Sequence, residues 1–257
     1  MADWDLRLGK WQDVLADLVK VDAVICDPPY SVSTHEGHNS AEDLEGKIGR
    51  HKRKSGGYDR SRSRIEFNGW THEDVESFCD AWCPRVASWM ACLTDSDLQR
   101  HFRSSYRCND LTDFQPVPCI VRGMTVRLAG DGPSSWAVYL MVGRTKAARK
   151  WGTLDGAYEG PQGERLIAGS KSLTLMRRIV ADYSRPGDLI CDPFAGSGTT
   201  LLAAVMEGRR AIGAEMDEGR YQIAKQRLET WDRQPELPGF SRAKQIKLLI
   251  PEATDVP

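Results

Sequence analysis

Two short apolar runs, each closed by an aspartate and a proline, restrict the folds that this chain of 257 residues can adopt. Residues 21–26 (VDAVIC) precede the sequence DPPY at 27–30, and residues 189–191 (LIC) precede DPFAGSGTT at 192–200. Short apolar runs that end at turn residues are typical of buried strands in a parallel sheet. Ligands of such sheets bind beyond the carboxyl ends of the strands, where the strand order reverses. The pattern therefore predicts an α/β sheet with two ligand-binding loops.

The segment 192–200 has the properties of a loop that approaches a nucleoside-like ligand closely. Neither Gly196 nor Gly198 carries a Cβ atom, and a helix that begins at Thr199 would offer free N–H groups to a carboxylate. Two other nucleotide-binding loops fit less well. A Walker loop requires lysine where Thr199 stands, and a dinucleotide fingerprint requires a third glycine where Leu201 stands.

The two motifs, in this order, resemble those of the β group of amino-methylating DNA methyltransferases, which use S-adenosylmethionine. Most methyltransferases carry the glycine-rich cofactor motif first, whereas in the β group DPPY comes first, as it does here. The resemblance runs from about residue 6 to residue 228 and is weak between residues 31 and 171. It implies an α/β, Rossmann-like methyltransferase fold with a circularly permuted motif order. In that fold the central, mostly parallel sheet has an antiparallel edge strand and helices on both faces.

The resemblance assigns catalysis to the first motif, Asp27, Pro28, Pro29 and Tyr30. An exocyclic amine of a base is a poor nucleophile because its lone pair is delocalised into the ring. The Asp27 side chain and the Pro28 carbonyl would accept hydrogen bonds from the amine and draw it toward sp³ geometry. Tyr30 would stack on the base, which must leave the duplex to be reached. The alternative is an ordinary turn that ends a strand.

The resemblance also supplies a set of cofactor-binding residues. Glu215 closes the next predicted strand, about where nucleotide folds hold ribose hydroxyls. Lys171 and Ser172 match the family's Lys-Pro pair with serine in place of proline, although Ser172 could equally be a plain N-cap of the following helix. The full set is Asp27, Lys171, Ser172, Asp192, Phe194, Ala195, Gly196, Ser197, Gly198, Thr199, Thr200 and Glu215.

A basic segment lies between the two motifs of a chain whose formal net charge is only −1. Residues 47–64 contain eight lysines and arginines and one acid, so this segment carries +7 and the rest of the chain −8. Such a concentration suits a polyanion, although a solvated, disordered loop has the same composition. A second basic group follows residue 143, where the family places its target-recognition segment. The predicted DNA-binding residues are Lys52, Arg53, Lys54, Arg62, Arg64, Arg144, Lys146, Arg149 and Lys150.

The chain divides into one catalytic domain, residues 1–232, and a C-terminal tail, residues 233–257. We expect residues 31–70 to form a mobile basic loop insertion within the domain, and residues 143–170 a short target-recognition segment. Residues 117–127 and 136–142 predict a hairpin at the sheet edge, and residues 95–106 a helix. Seven cysteines without a C-x-x-C pair favour a reducing cytoplasm without disulfides or zinc, and no apolar run is long enough to cross a membrane.

The expected function is transfer of a methyl group from S-adenosylmethionine to the N6 amine of adenine in double-stranded DNA, with base flipping and without a metal. Adenine is preferred because aspartate at the first motif position is commoner among the family's adenine enzymes. The alternatives are an N4-cytosine DNA methyltransferase, an RNA or protein amine methyltransferase, and a cofactor-binding, DNA-associated protein without activity. A role in restriction-modification is typical of the family. Homodimers are common in it, but the sequence itself indicates none.

Overall fold

Nine strands form a single sheet within the residues that the computed structural model describes, which are 3–39, 68–121, 135–148, 152–161 and 169–233. The strands are β1 (Trp4–Leu8), β2 (Val21–Cys26), β3 (Val86–Thr94), β4 (Leu111–Asp113), β5 (Val117–Val121), β6 (Ala137–Thr145), β7 (Tyr158–Gly160), β8 (Leu189–Asp192) and β9 (Arg210–Glu215). The helices are α1 (Trp11–Val14), α2 (Val32–Asn39), α3 (His72–Trp82), α4 (Gln99–Cys108), α5 (Leu173–Tyr183), α6 (Thr199–Met206) and α7 (Glu218–Asp232).

The strand order is β1-β9-β8-β2-β3-β6-β5-β7, and β4 also pairs with β6. In this spatial order the first five strands, β1, β9, β8, β2 and β3, are mutually parallel. Strand β6 is antiparallel to β3, β4 and β5. From β2 the chain moves to β3 on one side, and from β8 it moves to β9 on the other. The order therefore reverses between β2 and β8, which is where open α/β sheets bind their ligands.

Helices cover both faces of the sheet because the side chains of the central strands alternate between two apolar cores. Ala23 and Ile25 of β2 belong to the core beneath α5, α6 and α7, and Val24 and Cys26 belong to the core beneath α3 and α4. Both cores reach the carboxyl ends of β2 and β8. The two loops that follow these strands therefore begin at strand ends that are packed on both faces of the sheet.

The predicted α/β class, with a mostly parallel sheet and helices on both faces, is confirmed. The predicted hairpin is formed by β5 and β6, but its antiparallel strand β6 lies inside the sheet edge because β4, β5 and β7 extend the sheet beyond it. Residues 122–134, which connect these two strands, lie outside the described residues. None of the helices in the described part of the chain is long and apolar enough to span a membrane.

Two predicted boundaries are wrong for the same reason. Residues 32–39 form helix α2 where a loop was expected, and helix α4 begins at Gln99 rather than at Asp95. Ser31 and Asp95 hydrogen bond to each other, so the start of α2 and the turn before α4 are fixed by one long-range contact that no local pattern reveals. Residues 40–67 of the expected basic loop lie outside the described residues.

Candidate active site

The two motif loops lie side by side at the carboxyl edge of the sheet. Strands β2 and β8 are hydrogen-bonded parallel neighbours, with Ala23 opposite Ile190 and Val24 opposite Cys191. The loop that begins at Asp27 and the loop that begins after Asp192 therefore leave the sheet at the same edge. The sequence alone predicts that each loop follows a strand. The structure adds that these two strands, β2 and β8, are neighbours in the sheet.

Both carboxylate oxygens of Asp27 accept hydrogen bonds. Lys171 Nζ lies 2.5 Å from Asp27 Oδ2, and Tyr30 Oη lies 3.1 Å from Asp27 Oδ1. The side chains of Lys171 and Asp27 are only 10% and 24% exposed, so water screens this ion pair poorly. The ammonium group of Lys171 also lies 5.1 Å from the centroid of the Tyr30 ring. Lys171, which the resemblance linked only to the cofactor, is thus in direct contact with two residues of the DPPY motif.

Tyr30 is held as a neutral phenol. Burial raises the pKa of its hydroxyl well above the usual value, and the nearby negative charge of Asp27 raises it further. The backbone carbonyl of Tyr30 accepts a hydrogen bond of 2.7 Å from the N–H of Trp70. Trp70 in turn packs edge-on against Phe194 of the second motif, with ring centroids 5.3 Å apart. Trp70 therefore connects the two loops, although sequence reasoning assigned it no role.

The glycine-rich loop turns sharply before helix α6. Gly196 and Gly198 have φ angles of +54° and +76°, in the left-handed region that favours glycine. A Cβ atom at position 198 would lie 2.9 Å from the Cβ atom of Ala224 on α7, so the loop packs against that helix at a distance that only glycine permits. The loop is tied to β9 by a hydrogen bond from the N–H of Ala195 to the carbonyl of Ala214.

Two further carboxylates lie at the strand ends beside this loop. Asp192 accepts from the N–H of Phe194 at 3.0 Å, and Glu215 accepts from the N–H groups of Gly196 and Asp217 at 2.8 and 2.9 Å. Burial, aided by the charges of Asp27 and Glu215, raises the pKa of Asp192 to about 7, and burial also raises the pKa of Glu215. A group of acids that resist ionisation favours a cationic ligand, because positive charge would stabilise their ionised forms.

The hydroxyls of the second motif are bound to protein groups. Ser197 Oγ lies 3.2 Å from Thr199 Oγ1 and 3.4 Å from Ser170 Oγ. Arg227 of α7 donates to the carbonyl of Ser197 at 2.6 Å and to Thr199 Oγ1 at 3.0 Å, a contact that carried no sequence signal. Ser172 stands at the N-cap position of α5, but its side chain makes no capping hydrogen bond.

The predicted DNA-binding residues are not brought to this edge where the structure describes them. Arg144 pairs with Trp89, the fourth of the nine residues of β3, whereas the candidate site lies beyond the end of that strand. The guanidinium group of Arg144 lies over the rings of Trp89 and Phe114, and Lys146 forms an ion pair with Asp110 at 2.9 Å. The other predicted DNA-binding residues lie outside the described residues, and these are Lys52, Arg53, Lys54, Arg62, Arg64, Arg149 and Lys150.

A mostly parallel sheet with two loops at its switch point is a ligand-binding α/β arrangement. Comparison with known proteins points to the class of DNA methyltransferases. Residues 144–226, about a third of the chain, match the family model N6_N4_Mtase, described as a DNA methylase. The coarser part of the predicted resemblance, to DNA methyltransferases, is thereby confirmed over this segment.

Individual relatives agree with that family match. The Type II methyltransferase M.BamHI of Bacillus amyloliquefaciens is 41% identical over 77 residues, which are 30% of this chain and 18% of that protein. The DNA adenine methyltransferase YhdJ of Escherichia coli K12 is 41% identical over 59 residues, which are 23% of this chain and 20% of that protein. The chain thus spans less than a third of the length of the curated relatives it matches.

Solved structures show the same fold over nearly the whole chain. The M1.HpyAVI-SAM complex superposes with a TM-score of 0.61 at 20% identity and covers 87% of this chain and 99% of that one. The PvuII DNA methyltransferase, described as cytosine-N4-specific, has a TM-score of 0.61 at 13% identity and covers 95% of this chain and 92% of that one. The predicted fold class is confirmed by this likeness.

Proposed function

We propose that this chain is a β-group DNA methyltransferase that transfers a methyl group from S-adenosylmethionine to the N6 amine of adenine in double-stranded DNA. One observation carries the proposal. The carboxylate of Asp27 and the glycine-rich loop at 194–198 lie at the carboxyl ends of two adjacent strands, β2 and β8. A group bound at one loop is therefore next to a group bound at the other.

The residues beside the glycine-rich loop fit this cofactor. S-adenosylmethionine would supply an activated methyl group on a sulfonium, a cation. Three carboxylates lie here, and the charges of Asp27 and Glu215 raise the pKa of Asp192. Their combined field favours a cationic ligand. Glu215 and the loop backbone would hold the nucleoside part, and Lys171, Ser172 and residues 192–200 complete the proposed binding set.

The DPPY segment would bind and orient the target base. Asp27 and the Pro28 carbonyl would accept hydrogen bonds from the exocyclic amine, and Tyr30 would stack on the ring after the base leaves the duplex. The incoming amine would compete with Lys171 for Asp27, whose oxygens are already hydrogen-bonded. Aligning the amine with a methyl group in a site that excludes water would provide much of the rate enhancement.

The choice of base rests on the aspartate at the first motif position, and the relatives support either outcome. YhdJ is described as a DNA adenine methyltransferase, and the PvuII enzyme of similar fold as cytosine-N4-specific. N4-cytosine is therefore the second candidate. Relatives described as Type II methyltransferases support a site-specific enzyme of restriction-modification. We further propose a single catalytic domain over residues 1–232 and action in the cytoplasm on double-stranded DNA.

The test is a nucleoside assay. The wild-type protein, Asp27→Ala and the control Asp80→Asn, which alters an exposed acid on α3, are each incubated with S-adenosylmethionine and unmodified mixed-sequence duplex DNA. The DNA is then digested, and methylated nucleosides are identified by mass spectrometry. N6-methyladenine from the wild type and the control, but not from Asp27→Ala, would support the proposal. N4-methylcytosine would select the second candidate, and no methylated base despite cofactor binding would refute both.

A further inference from the structure

A buried carboxylate outside both motifs contacts the chain directly after the DPPY segment. Asp95 follows the last residue of β3 and is only 3% exposed. Its Oδ2 atom accepts three hydrogen bonds, from the Ser31 N–H at 2.9 Å, from Ser31 Oγ at 2.5 Å and from Thr34 Oγ1 at 2.6 Å. Ser31 is the residue that follows Tyr30.

The second carboxylate oxygen of Asp95 fixes the aspartate itself. Oδ1 accepts from the N–H groups of Asp97 and Leu98, at 3.1 and 3.3 Å, in the turn that leads into α4. Asp95 is thereby anchored to its own turn through one oxygen and to Ser31 through the other. Burying a carboxylate is costly unless hydrogen bonds compensate for lost hydration, so the donors around Asp95 have little freedom to move away.

A second contact restrains the same segment from its other side. Ser31 forms an isolated parallel β-bridge with Trp70, in which Trp70 donates to the Tyr30 carbonyl and Val32 donates to the Trp70 carbonyl. The fit is close at Gly69, where a Cβ atom would lie 2.6 Å from the backbone of Val32. The end of the DPPY segment is therefore held between the turn after β3 and the strand-like residues at 69–70.

We propose that Asp95 is a positioning residue for methyl transfer, acting through Ser31 to fix the backbone that carries Asp27 and Tyr30. The proposal rests on the proposed function and goes beyond it, because Asp95 belongs to neither motif and contacts Ser31 rather than Asp27 or Tyr30. Two loops that must align a base with a methyl group require a rigid backbone, since a displacement of about 1 Å can cost about 100-fold in rate. Asp95 supplies that rigidity at the end of the DPPY segment farthest from β2.

The test separates positioning from folding and from cofactor binding. Asp95→Asn keeps the shape of the side chain but removes its charge and presents an amide to the donors of Ser31. We expect kcat of the folded variant to fall about 30-fold with the Kd for S-adenosylmethionine nearly unchanged, and the midpoint of thermal unfolding to fall because an amide oxygen accepts these hydrogen bonds less well than a carboxylate. Asp80→Asn, which alters an exposed acid on α3 that accepts a hydrogen bond from Asn109, is the control and should retain activity within about threefold of the wild type.

A serine pair keeps the test decisive if Asp95→Asn fails to fold. Ser31→Ala removes one of the three donors and should lower kcat about tenfold, whereas Ser31→Thr retains the hydroxyl and should restore most of the rate. Amide hydrogen exchange, followed by mass spectrometry over residues 27–36, should accelerate in Asp95→Asn and in Ser31→Ala but not in Ser31→Thr. This readout does not depend on catalysis.

The outcomes distinguish this proposal from the proposed function. Faster exchange together with lower kcat would support the role of Asp95. Unchanged exchange over residues 27–36, or unchanged kcat in an active protein, would overturn it while leaving the proposed function intact. A wild-type protein that transfers no methyl group to DNA would instead refute the proposed function, and the catalytic role of Asp95 with it.

Discussion

Asp192 should make the stability of this protein fall as the pH rises from about 4 to about 7. Its pKa is raised from 3.8 to about 7 because it is buried and because the charges of Asp27 and Glu215 disfavour its ionisation. The unfolded chain releases this proton near pH 4, whereas the folded protein retains it until about pH 7. Folding therefore takes up a proton in this window, so the free energy of unfolding decreases as the pH rises.

The magnitude follows from the two pKa values. A change from 3.8 to about 7 corresponds to about 4 kcal/mol of stability lost between pH 4 and pH 8. Asp192→Asn does not titrate, and its amide oxygen can still accept from the N–H of Phe194. The variant should therefore be as stable as the wild type at pH 4 and about 2–4 kcal/mol more stable at pH 8 without cofactor.

Urea denaturation followed by tryptophan fluorescence measures this difference at each pH. All other titrating groups are shared by the two proteins, so the change in their difference with pH isolates Asp192. A cationic ligand should favour ionised Asp192, so S-adenosylmethionine should bind the wild type more tightly than Asp192→Asn above pH 7. A stability difference that stays constant from pH 4 to pH 8 would refute the reasoning.

Three further substitutions test other parts of the site. Gly198→Ala should lower the free energy of unfolding by about 1–3 kcal/mol and weaken cofactor binding. Gly187→Ala, also at positive φ but with open space around it, should cost about 1 kcal/mol and leave binding intact. Equal effects of the two substitutions would contradict the packing argument. Lys171→Met should lower kcat about tenfold, which corresponds to a barrier about 1.4 kcal/mol higher, because Asp27 loses its charge partner. An unchanged kcat and an unchanged pH–rate profile would show that Lys171 does not assist Asp27. Arg209, which is buried after α6, donates to the backbone carbonyls of Ala181 and Ser184. Arg209→Met should lower the free energy of unfolding by about 1–3 kcal/mol because these carbonyls lose their donor. A midpoint of thermal unfolding that does not fall would show that water replaces the guanidinium group.

The sequence was informative wherever a residue's role is local. The two motifs follow strands at the positions that the sequence predicts, and Asp217 caps α7 through its side chain, which accepts from the Arg220 N–H. Gly198 was expected to let the backbone approach a ligand, whereas the structure shows that its missing Cβ atom also leaves room for Ala224 of α7. The motifs, the strands before them and the helix cap are specified by residues close along the chain, so they leave a pattern in the sequence, whereas the contact of Gly198 with Ala224 does not.

Contacts between distant segments left no such pattern. Asp95 was assigned to the first turn of a helix, and its partner Ser31 to a featureless loop, although an acid closing an apolar strand is the same arrangement that marked Asp27. Lys171 lies 144 positions from Asp27 along the chain, and only the fold brings their side chains together. Arg144 was assigned to the target-recognition segment by the family resemblance, but it belongs to β6 and pairs with Trp89 in the first half of β3, away from the carboxyl edge that carries the two motif loops.

The order of the strands in the sheet also determines when this protein can acquire its structure during synthesis. Strand β1 pairs with β9 along its whole length, from Trp4 opposite Ala211 to Leu8 opposite Glu215. Strand β2 finds β3 early, but its other neighbour, β8, emerges from the ribosome only after most of the chain. A nascent chain stopped before residue 189 would carry a complete DPPY segment beside an unpaired edge of β2, and an open edge of this kind is a template for aggregation. Pairing with β8 therefore covers that edge of β2, and loss of residues 189–257 should produce insoluble rather than merely inactive protein, which fractionation of the truncated chain would measure.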